Sequence, residues 1–548
     1  MASDIQSTFV SFGELRPDSG EFNNRDLVEA IGVLPIGDVY FPLQPLYARS
    51  NTIGPGTDPV IVRGHVNQNP PAGGPGKNYI AVDGSIYALD ASVNPWTVNL
   101  MVAGLTIDSD GGQFCGFGSH EIFACGISQP MQLRVLGAGA MVDCVTDTAS
   151  PNDPRPKFVV PIGERVLIGN IGNLVNAGVG TPDHDPELVW WSATRDPRTF
   201  GTAATHPDAR TGYNSLHDDA GPITGMVGGK EYALIFKRRG IHRMDFGGAY
   251  GFTFRQIPQA YGCVSHLSIC SLGRDVYFWS DCGPCVYRDD QVIPLAYGKL
   301  ALDLLETKRL GVNQNPSIVG CGVDSVSSLI WWVFTYVGES GGYRMRKLTY
   351  SPMTDRFAYA FDQALSPTML LADAGGTPTS STVVACWDGR NETGLPFSGG
   401  VFAMNDYQLN ELRLWTYSGE LGDHWWQVAG SLKTGFFPLS PKGSARIQRV
   451  RPVVVMKSGA TIPDLSVTIY TKSKPWEAAT ASGPYALSTN GDGRGFIVVN
   501  DAPSSQFVQI QLNLPALSDS APIETNPYSS LREIEGIYIE YVLSGDKL

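Results

Sequence analysis

Between about residues 75 and 405 one unit recurs: an apolar or alternating strand, a turn, and a second strand. Instances are "NYIAVDGSIYALDA" (78–91), "QFCGFGSHEIFACG" (113–126) and "RVLIGNIGN…PELVWWSATRDPRTF" (165–200). Further along come "YALIFKRRGIHRMDF" (232–246), "VYFWSDCGPCVYRDDQVIPL" (276–295), "LIWWVFTYVGESGGYRMRKLTY" (329–350) and "VVACWDGRNETGLPFSGGVFAMN" (383–405). These seven hairpins follow one another about every 45 to 50 residues, the spacing of blades in a β-propeller, where each short sheet buries its faces against its neighbours. A pair of β-sandwiches would also give frequent strands. The likeness of the units and their unbroken run favour an all-β propeller of six to eight blades. Helical periodicity is confined to "NNRDLVEAIG" (23–32) and "YGKLALDLLETKRLG" (297–311), each closed by Gly.

After residue 430 the strands lengthen and alternate cleanly: "ARIQRVRPVVVM" (445–456), "DLSVTIYTKS" (464–473), "RGFIVVND" (494–501), "QFVQIQLNL" (506–514) and "IEGIYIEYVLSG" (534–545). They read as an antiparallel sandwich or platform. "LKTGFFPLSPKG" (432–443) reads as the linker. The expected organisation is an N-terminal extended segment over 1–74 packing on platform or propeller, a propeller over 75–430 and a platform over 431–548. The 62 Gly and 38 Pro, spread without a period, suit many strands joined by turns.

Charged residues make up only 17% of the chain, which suits a protein hiding much of its surface against partners. The formal net charge of −13 argues against gripping nucleic acid through its phosphates. The N-terminus has no apolar run of the secretory kind, and "SLIWWVF" (328–334) is too short to span a bilayer. Nine irregularly placed cysteines read as reduced, mostly buried thiols.

Candidate chemistry is sparse. Cys282-Gly283-Pro284-Cys285 has the spacing of a redox dithiol, but such a pair needs a helix after it to stabilise the thiolate. "VYRDDQVIPL" follows instead, so Asp281-Cys282-Gly283-Pro284 reads as a hairpin turn, with Gly taking a positive φ and Pro ending the ladder. Asp183, His184 and Asp185 point in alternating directions on an extended segment, unlike a metal site. Asp108 and Asp110 lack the later ligands of a calcium loop. "LHDDAG" (216–221) holds a possible base with no nucleophile beside it, and "GDGRG" (491–495) lacks the strand–helix context of a phosphate loop. Trp190-Trp191, Trp331-Trp332 and Trp425-Trp426 could stack on sugars, but on strands one ring of each pair should face the blade core and the other a neighbouring blade or a partner. No catalytic, cofactor-binding or metal-ligating set emerges, and no cofactor is implied.

The order of motifs is nonetheless distinctive. "NYIAVDGSIYALD" and "FGSHEIFACGISQPMQL" precede "GERVLIGNIG" and "LVWWSATRDPRTF". "GKEYALIFKRRGIHRMDFGGAYGFTFRQIPQAYGCVSHLSICSLGRDVYFWSDCGPCVYRDDQVIPL" follows. Trp191-Ser192 with Asp196, Lys237 to Ile241, Tyr261-Gly262-Cys263 and Phe278 to Gly283 match in order and spacing. With "RGFIVVND…FVQIQLNL…EIEGIYIEYVLSG" at the end, the chain resembles the tail nozzle (tail tubular or hub) proteins of short-tailed bacteriophages, the podoviruses. The Cys-x-x-Cys turn departs from that family's usual turn. The resemblance implies a structural virion protein, not an enzyme. It would form a homohexamer that continues the portal and head-to-tail adaptor channel, retain the genome, and conduct double-stranded DNA without specific binding. The implied neighbours are the adaptor, tail fibres or tailspikes and a needle or plug protein. The alternative is a propeller enzyme or binding module acting on cell-surface glycans.

Overall fold

A computed structural model describes residues 5–20, 22, 26–43, 46–48, 53, 62–67, 77–90, 96–135, 140–144, 153–174, 183–200, 211–247, 251–304, 317–337, 343–364, 371–373, 378–379, 381–387, 401–406, 411–416, 424–426, 429–440, 443–456, 463–492, 494–514 and 531–544. The chain is all-β, with small antiparallel sheets in a propeller-like arrangement and a larger sheet region. Five four-stranded antiparallel sheets succeed one another, starting at Val62–Asn67, Gln113–Phe117, Arg155–Ile162, Ile223–Gly228 and Cys270–Leu272. A sixth antiparallel group runs Ser317–Asp324, Leu329–Val337, Tyr343–Ser351 and Arg356–Ala364. The seventh contains Ser381–Trp387, Val401–Asp406 and Glu411–Thr416.

The first strands of these groups lie beside one another around a ring, and Ser381–Trp387 packs on both Ser317–Asp324 and Val62–Asn67. The ring is therefore closed by contact between the seventh group and the first. Leu46–Ala48, which precedes the first blade in sequence, pairs antiparallel with Glu411–Thr416 as an outer strand of the last one. A strand from the N-terminal side thus ties the two ends of the ring together through backbone hydrogen bonds.

Alternation explains why the blade hairpins are so apolar. Along Tyr232–Lys237, Ala233 and Ile235 enter the core shared with the third blade, while Leu234 and Phe236 enter the core shared with the fifth. A middle strand of a blade has no solvent face, so both sets of side chains must be apolar. The same rule splits the tryptophan pair 190–191. Trp190 packs with Ile122 and Leu133 of the second blade, and Trp191 sits against Phe252 and Phe254 of the fourth. Trp331 and Trp332 are both fully buried. Neither residue of that second pair presents a ring to solvent, which removes it as a sugar-stacking surface. The side chains of Trp425 and Trp426 lie outside the described residues.

The sandwich draws on both ends of the chain. Its first sheet orders Val33–Ile36, Val39–Pro42, Leu531–Ser544, Ser444–Met456 and Ile497–Val498, with Ile5–Ser11 also paired to Leu531–Ser544. Its second joins Leu27–Ile31, Gly430–Thr434, Phe507–Leu514, Ser466–Lys472 and Thr480–Ala486. Leu27–Ile31 falls where a helix was expected. A register shift between Leu27 and Glu29 puts both Leu27 and Ala30 in the core, and this three-residue spacing imitates a helical stripe. The expected linker 432–443 is likewise partly strand, because Gly430–Thr434 pairs on both sides. Of the expected strand 494–501 only Ile497–Val498 is extended and paired, and Thr480–Ala486 is a strand the alternation did not reveal. Over 297–311, residues 301–304 are helical and 305–316 lie outside the described residues.

One hydrophobic core runs from the blades into the sandwich. Tyr277, Trp279, Trp332, Phe334 and Phe357 of the fifth and sixth blades share it with Leu27, Val33, Leu432, Val467, Ile510 and Ile539. Close approach between blades also sets sequence: a Cβ on Gly262 would stand 2.2 Å from the Lys237 carbonyl oxygen and 2.3 Å from the Arg238 carbonyl carbon. Gly262→Ala is expected to cost about 1–3 kcal/mol, because backbone must shift to admit the methyl. A thermal melt unchanged from the parent protein would contradict this.

Candidate functional site at the propeller axis

The first strands of the first, second and sixth blades, with the turn entering the fifth, surround a cavity of about 190 Å³ lined by Arg63, His65, Gln113, Phe114, His266 and Cys321, among others. Gly112 turns the chain into the second blade with φ +87°, and a Cβ there would press on the Arg63 side chain at 3.2 Å. The Arg63 guanidinium donates to the carbonyls of Gly111 (3.0 Å), Val62 (2.8 Å) and Ser109 (2.7 Å), and burial lowers its pKa to about 10. Gln113 crosses between blades: its Nε2 donates to the Met226 carbonyl at 3.3 Å, and its Oε1 accepts from the Val159 amide at 3.2 Å. The axis is thus bound together by side chain-to-backbone bonds.

Two histidines complete the lining. His65 stacks on Phe114 with centroids 5.6 Å apart, and its Nε2 lies 3.4 Å from the fully buried Glu121. His266 packs against Phe158 at 5.3 Å, and its Nε2 has no hydrogen-bond partner among the described residues. Burial lowers His65 to about 4 and His266 to about 3, with the nearby Arg63 charge adding to the latter. Both rings are therefore neutral at pH 7. The unfolded chain protonates its histidines near 6.5 and the folded chain does not, so unfolding takes up protons on the acid side. Stability is expected to fall as pH drops from about 6.5 towards 4, and His65→Phe should flatten that slope. A chemical-denaturation midpoint independent of pH over this window would refute it.

Carboxylates are missing from the cavity lining among the described residues. The charged groups gather elsewhere, between the third and fourth blades. Lys237 has no solvent exposure, and its Nζ donates to Glu187 Oε1 (2.7 Å), Asp218 Oδ1 (2.5 Å) and the Leu216 carbonyl (2.6 Å). Asp218 also meets His242 Nε2 at 2.6 Å and accepts from the Ala220 amide at 2.9 Å, while Glu187 meets His217 Nδ1 at 2.9 Å. Burial alone would raise the Asp218 pKa; the bonds from Lys237, Ala220 and His242 outweigh it and hold the carboxyl below its ordinary range. The base suspected in 216–221 is thus spent on a tie between blades. An ammonium with three acceptors has no proton left for chemistry.

The remaining candidates disperse in the same way. Asp108 accepts from the Ile127 amide at 2.8 Å and Asp110 pairs with Lys157 at 2.6 Å. His184 Nε2 meets Asn170 Oδ1 at 2.7 Å, whereas Asp185 accepts from the Glu187 amide and the Ser215 hydroxyl. Asp492 takes the amides of Arg494 and Phe496 in a local turn. No group of three or more His, Cys, Asp or Glu with metal-binding geometry occurs among the described residues. Ser192, from the Trp-Ser motif, accepts from the Val166 amide at 3.0 Å, and Asp196 accepts from the Arg198 amide and the Thr199 hydroxyl.

The cysteine tetrapeptide lies in a hairpin between Asp275–Ser280 and Gly283–Arg288, with Ser280 opposite Gly283 and Gly283 at φ +102°. Pro284 does not end the ladder: it stands opposite Trp279. The Trp279 amide and carbonyl bond to Ser268 Oγ and the Val264 amide on the other side, so no N–H is required of the proline. The two sulfurs lie 3.6 Å apart. The hydrogen bond from Cys285 lowers the half-buried Cys282 thiol to about 7, and the same bond, with burial, raises Cys285 well above its ordinary value. No disulfide is formed there, and Cys115, Cys125, Cys144 and Cys263 are buried thiols.

Sequence reasoning did not find the Lys237 cluster or the axial histidines. One signal was present: a lysine closing the apolar run "YALIFK" must be paired if the strand is buried on both faces.

No protein-family model matches the chain, and no curated protein does. Solved structures resemble it faintly. A puromycin-hydrolysing peptidase of Mycobacterium tuberculosis aligns at 11% identity over 73% of this chain and 63% of the peptidase, with a TM-score of 0.34. AztD of Citrobacter koseri, in its apo form, aligns at 10% identity over 58% of this chain and 94% of its own, with a TM-score of 0.30. An exo-β-1,3-galactanase of Phanerochaete chrysosporium aligns at 9% identity over 81% and 99%, with a TM-score of 0.24. The chain thus spans less than two thirds of the peptidase, and likenesses this weak carry no argument about activity. No helix among the described residues is long and apolar enough to cross a membrane.

Proposed function

We propose that this chain is a wall subunit of a tail nozzle in a short-tailed bacteriophage. In this reading it is a homo-oligomeric, six-fold channel protein of the virion that retains the genome and conducts double-stranded DNA during ejection. The order of motifs from "NYIAVDGSIYALD" to "EIEGIYIEYVLSG" suggests the family. The observation that carries the mechanical part is the single core joining the fifth and sixth blades to both sheets of the sandwich. A subunit in a ring of heterologous contacts must hold its two faces at a fixed angle, and one continuous close-packed core makes it stiff. The buried polar groups serve the same end, since Lys237 with Glu187 and Asp218, and the Gln113 amide, tie blade to blade. A net charge of −13 suits a lumen to which DNA does not adhere, because like charges repel across a narrow channel. The adaptor, fibre or tailspike and plug proteins are its proposed neighbours.

Electron microscopy of the purified chain, alone and with its adaptor, tests the proposal. Six-fold rings with a central channel are expected. A monomer that cleaves or tightly binds a surface glycan would replace this reading with the propeller-enzyme or lectin alternative.

A further inference from the structure

Outside the axis and the charge cluster, the turn of the fifth blade holds two thiols side by side, one half-buried and one in the core. Cys282 is half-buried at the tip of the hairpin, while Cys285 points into the core between the fourth and fifth blades with Phe236, Phe278 and Tyr287. Their sulfurs are 3.6 Å apart across a turn clamped by the Ser280–Gly283 pair. Bond formation needs an approach to about 2.05 Å, within reach of a side-chain rotation. The hairpin is fixed on both flanks, since Phe278 pairs with Cys285 and the Leu295 amide bonds the Pro284 carbonyl. We propose that Cys282 and Cys285 are a thiol–disulfide modification site, in which Cys282 reacts first with a small disulfide oxidant and Cys285 closes an intra-turn bond.

The division of labour follows from exposure and charge. Cys282 is reachable from solvent and is the better thiolate, because Cys285 and Ser280 hydrogen-bond to its sulfur. Its thiolate attacks one sulfur of oxidised glutathione, breaking that S–S bond and releasing one glutathione thiolate. Once in a mixed disulfide, Cys282 no longer takes the Cys285 hydrogen bond as a thiolate or repels a second charge, which leaves burial as the main restraint on Cys285 ionisation. Cys285 gives up its proton to solvent and attacks the Cys282 sulfur, releasing the second glutathione. Two protein thiols are oxidised by two electrons in all, and one glutathione disulfide is reduced to two thiols. A third thiol nearby, Cys263, is held by Ser265 and Ser268 and is fully buried, so it stays out of the exchange.

The test treats the folded full-length protein with oxidised glutathione at pH 8, then traps free thiols with iodoacetamide and maps peptides without reduction. The expected product is a peptide two hydrogens lighter with Cys282 and Cys285 both protected. Cys285→Ser should stop at a glutathione adduct on Cys282, and Cys282→Ser should leave Cys285 unreacted. In the untreated protein, Cys282 alkylation should rise with a midpoint near pH 7. A stable glutathione adduct on wild-type Cys282 without ring closure overturns the proposal, as does faster reaction at any other cysteine. If a serine variant fails to fold, by its far-ultraviolet dichroism, the wild-type peptide map decides alone.

Discussion

Lys237→Met will destabilise the propeller by about 3–5 kcal/mol, the usual cost of removing one partner from a buried ionic group. The methionine fills a similar volume, so the loss reports charge and not a cavity. What remains is Glu187 and Asp218 facing one another across the space the ammonium held, with His217, His242 and the Ala220 amide to compensate. Urea denaturation followed by tryptophan fluorescence reads the effect, and a midpoint shift corresponding to less than about 1 kcal/mol would mean the cluster is hydrated and loosely held. The pH dependence carries the same information. Asp218 is depressed when folded, so its contribution is present above the carboxylate's unfolded pKa near 3.9 and disappears as pH falls below it. Lys237→Met should abolish that acid limb while leaving the histidine-dependent decline between about 6.5 and 4 intact.

Trp332→Ala is the second large effect, at about 3–5 kcal/mol. Its ring lies fully buried in the core shared by blades and sandwich, 6.0 Å from the Trp279 ring centroid. Its indole N–H donates to the Ser268 carbonyl at 3.0 Å, which ties the sixth blade to the short turn entering the fifth. Truncation opens a cavity and orphans that carbonyl together. If propeller and sandwich melt as one unit because they share this core, the variant should lower a single transition. Two separate transitions, with only one displaced, would show that the two parts fold independently and would weaken the rigid-wall proposal. Trp332→Phe, which keeps most of the volume but not the donor, separates the packing loss from the hydrogen-bond loss.

The seven hairpins were legible because blade strands are short, apolar and bounded by turns, and that pattern survives in sequence without tertiary help. The tryptophan pair 190–191 was legible for the same reason: alternation forces neighbouring rings to opposite faces. The errors have a common physical source. Leu27–Ile31 imitated a helix because a bulge broke the two-residue period. Thr480–Ala486 escaped because it is an exposed edge strand with little apolar alternation. Nothing in the local sequence announces that Leu46–Ala48 pairs with Glu411–Thr416 some 370 residues away, since backbone hydrogen bonds carry no side-chain signature.

The candidate site divides along the same line. Local pattern gave no ligand spacing around Asp108, His184 or Asp492, and in the structure Asp108 and Asp492 accept backbone amides while His184 meets Asn170. Local pattern also made the Cys-x-x-Cys a turn. The tertiary structure alone decided that Glu187, Asp218, Lys237 and His242 converge, that His65 and His266 share the axis, and that two sulfurs in that turn stand 3.6 Å apart. Alternation along a strand is written residue by residue, so the chain declares its strands. Which buried charge meets which depends on how whole blades stack, and that is fixed only when the ring closes.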